Sequence, residues 1–166
     1  RISFFGGGTD YPDWYLQQGG AVLATSIDKY CYVSCRHLPP FFEHRHRIVY
    51  SRIENVQSAD DIVHPAVRAV FIWLKVDHHI RALRGEQVSK EKLALDAIHV
   101  EQKVIGENVG SQDQVTAAHG GFNRVLFRED GDIVVEPVIL KHERRQMLND
   151  HLMLFFTGLT RTASDI

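Results

Sequence analysis

Short alternating or continuous apolar runs predict the strands of this chain. Residues 21–35 contain an alternation in which Tyr30, Tyr32 and Ser34 interleave with less polar neighbours, as in a half-buried strand. A turn at Asp130-Gly131 between two apolar runs predicts a hairpin. The predicted strands are residues 1–5, 21–35, 48–53, 125–127, 133–135 and the continuously apolar Leu152–Phe156, which suits a strand covered on both faces.

Apolar residues at helical spacing predict three helices between these strands. The first opens at His64-Pro65, the second runs from a Ser89 cap to about Ile105, and the third starts at Ser111 and stops at Gly120-Gly121. Ser111-x-x-Gln114 has the pattern of a capping box. The predicted buried stripes are Val67, Val70, Phe71 and Leu74 on the first helix, and Leu93, Ala97, Val100 and Val104 on the second. Strands and helices in this mixture indicate an α+β domain.

Composition narrows the class of protein. The 166 residues carry a formal net charge of −2, which argues against nucleic-acid binding driven by net charge. No apolar run approaches the length of a membrane span. Cys31 and Cys35 fit neither a zinc C-x-x-C pair nor a disulfide framework, so reduced thiols and a cytoplasmic location are expected.

Two bends of small residues each carry a carboxylate beside a hydrophobic segment. In Gly6-Gly7-Gly8-Thr9-Asp10, Asp10 either binds the hydroxyls of a polyol or only accepts hydrogen bonds from nearby main-chain amides in a tight turn. Neither G-x-G-x-x-G nor G-x-x-x-x-G-K-[ST] is present, which disfavours a dinucleotide fold and a Walker loop. Asp113 falls in the first turn of a predicted helix, where it is either an ordinary helix-start carboxylate or a general base with a cation such as Arg1 nearby.

Glu101 interrupts an apolar helical stripe. It lies four residues after Ala97 and four before Ile105, where an unpaired carboxylate is costly. It is either a magnesium ligand, since Mg²⁺ with a nucleotide takes only one or two protein ligands, or a border residue paired with a Lys or Arg. The basic residues Arg36, Arg45 and Arg47 form either an anion-binding surface or a solvated loop.

Together these segments resemble the GHMP small-molecule kinases, the superfamily of galactokinase, homoserine kinase and mevalonate kinase. Residues 1–11, ending in Thr-Asp-Tyr, are similar to its first motif, and residues 110–114 to the segment with the catalytic Asp. The stretches most similar to the heptose branch are 1–15, 26–30, 38–42, 64–68, 96–102 and 155–158.

The resemblance implies a fold, a reaction and a site. The fold is the N-terminal domain of such a kinase, of the ribosomal protein S5 domain 2-like type, over residues 1–166. The reaction is phosphorylation of the anomeric hydroxyl of D-glycero-D-manno-heptose 7-phosphate to the 1,7-bisphosphate, with ATP and Mg²⁺. The residues implied are Asp113 and Arg1 in catalysis, Glu101 at the metal, and Gly7, Gly8, Thr9, Asp10 and Tyr11 at the sugar. The implied partners are small molecules, a sugar phosphate and ATP, and neither nucleic acid nor a membrane is expected. Whether the protein forms a homodimer is left open.

The chain departs from the family in its phosphate loop. A Gly-Leu-Gly-Ser-Ser-Ser-like loop is expected between the helix that opens at Pro65 and Ser89, but Val76-Asp-His-His-Ile80 stands there, so a gap is expected near 76–80. The family's C-terminal domain is expected to be largely missing. Two alternatives remain: a kinase of this superfamily for another sugar, such as fucose or galactose, and a non-catalytic sugar-binding relative.

Overall fold

A computed structural model describes residues 1–75, 87–156 and 158. The expected gap near 76–80 and the helix start expected after residue 160 lie outside the described residues. The chain divides into two compact units, the first made of Arg1–Ile27 with Asn108–Ile166 and the second of Asp28–Glu107. No helix in the part of the chain described is long and apolar enough to span a membrane.

The described elements confirm an α+β class. In chain order the strands are β1 (Ile2–Phe5), β2 (Gly20–Thr25), β3 (His46–Val49), β4 (Ile53–Val56), β5 (Phe122–Phe127) and β6 (Ile133–Pro137). The α-helices are α1 (Pro12–Gln18), α2 (Pro65–Trp73), α3 (Lys90–His99), α4 (Gln112–His119) and α5 (His142–Asp150).

The first unit is built on an antiparallel sheet in the order β1-β2-β5-β6. Alternate residues of the two central strands are buried, so they point to one face of the sheet. On that face Phe127 stacks on Tyr15 of α1, with ring centroids 5.4 Å apart. The buried apolar side chains of this unit are Tyr15, Val22, Ala24, Val115, Val125 and Phe127. Each large one contributes about 1.5–3 kcal/mol by leaving water.

The predicted hairpin near residue 130 is confirmed. Strands β5 and β6 pair in register from Asn123 opposite Pro137 to Phe127 opposite Ile133. At the turn, the amide of Asp132 donates to the Asp130 carboxylate at 2.9 Å, and Gly131 takes a φ of 88° that other residues rarely adopt.

The second unit contains the β3–β4 hairpin, α2, α3 and a short 3₁₀ turn. Helix α2 begins as predicted, with Pro65 in its first turn and the ring of His64 accepting a hydrogen bond from the amide of Val67 at 3.4 Å. The predicted apolar face of α2 is half-buried, and Ala69 beside it is buried.

The prediction of a strand through residue 35 was wrong. Strand β2 ends at Thr25, and residues 29–39 have no regular secondary structure. The amide of Ser26 donates to the carbonyl of Gly121 at 2.9 Å, which ends the pairing with β5. Tyr30 and Tyr32 lie 73% and 87% exposed, so their alternation with apolar neighbours does not mark a half-buried face.

The single strand predicted over residues 48–53 was also wrong. Those residues contain the end of β3, a turn and the first residue of β4. The amide of Tyr50 donates to the carbonyl of Arg52 at 2.9 Å and so closes the turn. The apolar residues of the run therefore belong to two paired strands.

The helix predicted from Ser89 is confirmed, but its buried stripe differs. Ser89 caps α3 by accepting from the amide of Lys92 at 3.1 Å. Of the predicted stripe Val100 is buried, whereas Leu93 is 53% and Val104 39% exposed. The other buried residues of the helix are Ala94 and Ile98. After α3 the chain continues as a π-helical segment, Val100–Ile105, whose wider turns rotate the following side chains away from the α-helical stripe.

The buried strand predicted over Leu152–Phe156 was wrong. These residues form no strand, and their side chains are exposed. A continuous apolar run forms a covered strand only where neighbouring strands pair with it. In the described part of the sheet, the strands that pair are β1, β2, β5 and β6 alone.

Candidate functional site

The glycine turn after β1 carries Asp10 into the interior of the first unit. Gly6 and Gly8 both take positive φ angles, 83° and 94°, and the amide of Thr9 donates to the Gly6 carbonyl at 3.1 Å. A residue with a Cβ would be strained at either glycine. The turn reverses the chain, and Asp10 is left with no exposed surface.

The Asp10 carboxylate accepts three hydrogen bonds from the protein. Its Oδ1 accepts from the amide of Gly8 at 3.1 Å and from Nε2 of Gln112 at 3.1 Å. Its Oδ2 accepts from the main-chain amide of Gln112 at 3.0 Å. The Asp10 carbonyl also accepts from the amide of Ser111 at 3.0 Å. The structure thus joins the two carboxylate-bearing bends that stand out in the sequence.

Asp10 also caps helix α4, which corrects the capping-box prediction. Ser111 precedes α4 but makes no side-chain hydrogen bond to the start of the helix. The acceptor at the free amide of Gln112 is the carboxylate of Asp10, 102 residues earlier in the chain. A negative carboxylate at this end also complements the helix dipole. The capping group is therefore a distant residue that a local pattern does not show.

Asp113 lies in the first turn of α4, as predicted, and pairs with Arg1. Nη2 of Arg1 donates to Oδ2 of Asp113 at 2.9 Å, and Nε of Arg1 pairs with the other carboxylate oxygen. The Asp113 side chain is 65% exposed and that of Arg1 25% exposed. The bidentate contact between the guanidinium and the carboxylate fixes the orientation of the Asp113 side chain.

Asp113 lies beside two sources of positive charge. The first turn of a helix presents free amides and a partial positive charge, and the Arg1 guanidinium adds a full one. The carboxylate nevertheless faces solvent, where a ligand hydroxyl can reach it. An accessible carboxylate beside a cation is an arrangement suited to a general base.

The other residues expected at the sugar lie along the same turn. Gly7 and Gly8 are exposed, and Tyr11 is half-buried. The hydroxyl of Thr9 donates to the Gly6 carbonyl at 2.8 Å and accepts from the amide of Ala21 at 3.1 Å. Thr9 therefore ties the turn to the start of β2, while the two glycines leave backbone open to a ligand.

Glu101 lies in the second unit, in the π-helical segment after α3. Its side chain is half-buried, and its carbonyl accepts from the amides of both Gly106 and Glu107, at 3.1 and 3.0 Å. A π-helical turn is frequent at functional sites. Within residues 1–75, 87–156 and 158, no group of three or more His, Cys, Asp or Glu side chains is placed to hold a metal ion.

The basic residues and the thiols fall at the surface of the second unit. Arg45 and Arg47 are exposed along one side of the β3 strand, and no carboxylate pairs with either of them in the described ranges. Cys31 and Cys35 are both free and exposed.

The role of Gln112 as a hydrogen-bond partner of Asp10 was not predicted from the sequence. Gln112 is 7% exposed, and its amide and side chain both donate to Asp10. Among the described residues its Oε1 is buried without a hydrogen-bond partner. Three of the four polar residues in the run Ser-Gln-Asp-Gln are buried and only Asp113 is exposed, a difference that the structure shows and the sequence does not.

A second polar cluster that was missed lies in the second unit. The Glu54 carboxylate accepts from the amide of Val63 at 2.6 Å, from the amide of His64 at 3.1 Å and from the Tyr50 hydroxyl at 2.8 Å. The hydrogen bond from the Val63 amide is the main reason that the pKa of Glu54 lies below its ordinary value. The bond to Glu54 in turn raises the pKa of the Tyr50 phenol. This cluster ties the β3–β4 hairpin to the start of α2.

Comparison with known proteins confirms the resemblance to heptose kinases. The fold is similar to the crystal structure of a D-glycero-D-manno-heptose 1-phosphate kinase from Bacteroides thetaiotaomicron, with a TM-score of 0.70 over 89% of this chain and 60% of that one, at 17% sequence identity. That likeness defines the fold.

The sequence is 35% identical over 75 residues to the D-glycero-alpha-D-manno-heptose 7-phosphate kinase of Campylobacter jejuni. This match covers 45% of the present chain and 22% of the length of that relative. No protein-family model matches the chain. The names of these two similar proteins place the phosphate of the sugar at different positions, 7 in one and 1 in the other.

Proposed function

We propose that this chain is part of an ATP-dependent sugar kinase that phosphorylates the anomeric hydroxyl of D-glycero-D-manno-heptose 7-phosphate to the 1,7-bisphosphate. Two similarities support the proposal, the partial sequence identity to a heptose 7-phosphate kinase and the fold shared with a heptose 1-phosphate kinase. The chemistry of the first unit agrees with it, because its exposed acid stands beside an arginine at a helix start.

The pairing of Arg1 with Asp113 carries the proposal. Asp113 accepts the proton of the sugar hydroxyl as the hydroxyl oxygen attacks the γ-phosphorus of ATP and ADP departs. Arg1 holds the carboxylate in one direction through two contacts. Most of the catalysis in phosphoryl transfer comes from positioning and charge neutralisation, which is what a fixed carboxylate–guanidinium pair supplies.

The sugar is proposed to lie against the turn of residues 7–11. The exposed Gly7 and Gly8 offer backbone groups without side chains, and Tyr11 offers a half-buried ring at the end of the turn. Thr9 keeps the turn in place through its hydroxyl, while Asp10 faces inward. Close approach of a polyol to glycine backbone is a recurring use of such turns.

Glu101 is the proposed ligand of Mg²⁺. Its carboxylate suits the ion chemically, because Mg²⁺ prefers oxygen and is usually bound by one or two protein carboxylates together with substrate phosphates. When bound, the ion would neutralise charge on the phosphates of ATP. Glu101 would supply one oxygen at the edge of the π-helical segment.

The decisive experiment measures ADP release by the purified protein with a panel of acceptors. The panel contains the 7-phosphate and the 1-phosphate of D-glycero-D-manno-heptose, together with fucose and galactose. We expect turnover with the 7-phosphate. Turnover with another acceptor alone would reassign the sugar, and the absence of both turnover and ATP binding would favour a sugar-binding relative.

The role of Asp113 is tested by Asp113→Asn. Loss of a general base lowers kcat by about 10²–10⁴-fold, and ATP binding measured by titration should persist. Asp13→Asn is the matched control, because Asp13 is also an exposed carboxylate in the first turn of a helix. Near wild-type turnover in Asp113→Asn would remove Asp113 from the role of base.

A further inference from the structure

We infer that Gln112 is a positioning residue, which holds the turn of residues 7–11 and the base Asp113 in a fixed relation to each other. The inference rests on the proposed function, because it concerns how two parts of that site act on one substrate. The place of Gln112 carries it, since this residue precedes Asp113 in the chain and donates two hydrogen bonds to Asp10 in the turn.

Gln112 holds the carboxylate of Asp10 at both of its oxygens. The main-chain amide of Gln112 donates to Oδ2 at 3.0 Å, and Nε2 of its side chain donates to Oδ1 at 3.1 Å. Two donors from one residue, one at each oxygen, fix the plane of a carboxylate as well as its position. In the proposed site, the orientation of Asp10 at the sugar is therefore set by Gln112.

The side chain of Gln112 also lies beside the glycines of the same turn. A Cβ added at Gly7 would stand 3.8 Å from Nε2 of Gln112, which is an ordinary van der Waals distance. Gly7 and Gly8 are exposed, whereas Gln112 is 7% exposed. The buried amide group thus supports from within a turn whose backbone is open to a ligand.

The side-chain amide of Gln112 combines a used donor with an unused acceptor. Nε2 satisfies Asp10, but among the described residues Oε1 is buried without a hydrogen-bond partner. An unmet buried acceptor costs free energy, and proteins retain such groups mainly where a functional site requires them. The amide of Gln112 therefore has a feature typical of a site residue in addition to its position.

The direction of Asp113 depends on the same helix start. Successive residues of an α-helix differ by about 100° around its axis, so a helix that turns Gln112 toward Asp10 presents the next residue on another side. The side chain of Asp113 is 65% exposed there and meets Arg1. Loosening the contact between Gln112 and Asp10 should therefore disturb the turn and the base together.

Gln112→Met removes the donor to Asp10 but keeps the length of the side chain. We expect the KM for the sugar phosphate to rise by about fivefold and kcat to fall by about tenfold, with the KM for ATP within about twofold of wild type. Gln17→Met is the matched control, because Gln17 is exposed and its side chain donates to the main-chain carbonyl of Asp13 at 2.9 Å. Wild-type constants in Gln112→Met, or a change in the ATP constant alone, would overturn the inference.

Gln112→Glu supplies a readout that a purely structural role would not move. The new carboxyl group would replace Nε2, which lies 3.1 Å from Oδ1 of Asp10, and two carboxylates so close hold one proton between them. At low pH the protonated group can donate to Asp10 as the amide does. As the pH rises, the second carboxylate ionises, the hydrogen bond is lost and the two charges repel each other.

The kcat of Gln112→Glu, divided by that of wild type, should therefore be highest near about pH 5.5 and fall towards about pH 8.5. The ratio for Gln112→Met should stay constant over this range. Division by the wild-type rate removes the titration of Asp113 and of its pair with Arg1, which all the proteins share. Thermal unfolding at each pH sets an assay temperature at which every variant is folded. A ratio for Gln112→Glu that does not depend on pH would contradict the inference.

A double-mutant cycle tests whether Gln112 acts through Asp10. In an Asp10→Asn background, Gln112→Met should cost little further, and equal losses in the two backgrounds would contradict the inference. The wild-type assay separates the two possible failures. If the wild type phosphorylates no sugar, the proposed function fails and the inference with it. If the wild type is active and both Gln112 variants match it, the inference alone fails.

Discussion

Gly110 and the carboxylate of Asp10 are in direct contact, so closely that a single added methyl group has no room between them. The nearest carboxylate oxygen would lie 2.0 Å from a Cβ at position 110. This is a limit on side-chain size at Gly110, because its φ is not among the positive angles of the chain. The glycine is required by its neighbour, which lies 100 positions away in the sequence.

Gly110→Ala should therefore destabilise the protein. Overpacking of this kind costs about 1–3 kcal/mol, which for a chain of this size lowers the melting temperature by several degrees. Gly7→Ala is the control, since the nearest atoms to a Cβ there lie at an ordinary 3.8 Å. Thermal unfolding of both variants checks the prediction. In an Asp10→Ala background the cost of Gly110→Ala should shrink, and an undiminished cost would mean that the clash is elsewhere.

Arg1→Ala should separate activity from stability. Exposed ion pairs contribute about 0–1 kcal/mol, so the free energy of unfolding should change by no more than that. Turnover should fall clearly, because Asp113 loses the cation that orients it. Arg124→Ala is the matched control: it breaks an exposed pair with Glu136 and should affect neither quantity. Steady-state kinetics beside thermal unfolding makes the comparison, and wild-type kcat in Arg1→Ala would contradict the assigned role.

Glu54→Gln should change how stability depends on pH. The pKa of Glu54 is lowered in the folded protein, chiefly by the Val63 amide, so the ionised form stabilises the fold. That contribution is fully present above the ordinary value of 4.5 and is lost as the pH falls through the lower, folded-state pKa. The wild type should therefore be more stable than Glu54→Gln near neutral pH, and the difference should close below about pH 4.5.

Urea unfolding of the Glu54 variant from pH 3 to pH 8 measures this difference. Glu43→Gln, which changes an exposed carboxylate of the same unit, is the control. A gap between wild type and Glu54→Gln that stays constant over the whole range would show that the charge of Glu54 does not contribute.

Thr116→Val should stabilise the protein. The hydroxyl of Thr116 is buried without a hydrogen-bond partner in the described part of the chain, and the residue is 3% exposed. Replacing it with a methyl group of the same size removes an unmet hydrogen-bonding requirement worth about 1 kcal/mol. Thr25→Val is the contrasting variant, because the Thr25 hydroxyl lies within hydrogen-bonding distance of two carbonyls and its loss should destabilise the protein. Melting temperatures that fall in both variants would contradict the prediction.

Elements with strong local signals were predictable from the sequence. The turn at Asp130-Gly131, the Pro65 helix start and the Ser89 cap each depend on neighbours within a few residues, and each is confirmed. Strand length was less predictable, because a strand continues only where a partner continues. The alternation through Tyr30 and Tyr32 carries no information about where β5 begins, opposite Thr25.

The same difference between local signals and distant contacts applies to the candidate site. The place of Asp113 in the first turn of a helix follows from the local sequence and is confirmed. Its pairing with Arg1 spans 112 positions, and the capping of α4 by Asp10 spans 102. The local pattern favoured Ser111 as the cap, because nothing near Ser111 in the sequence indicates that the carboxylate of Asp10 lies at this helix start. Gln112 was overlooked for the same reason.

The hydrogen bond between Asp10 and Gln112 also has a consequence for biosynthesis. It closes a loop of 102 positions, so the N-terminal turn cannot reach its final state while the ribosome is still making the middle of the chain. Translation proceeds at roughly 5–20 residues per second, so Gln112 is synthesised about five to twenty seconds after Asp10. Contacts so distant in sequence slow folding, and the first unit should mature only after translation has passed α4.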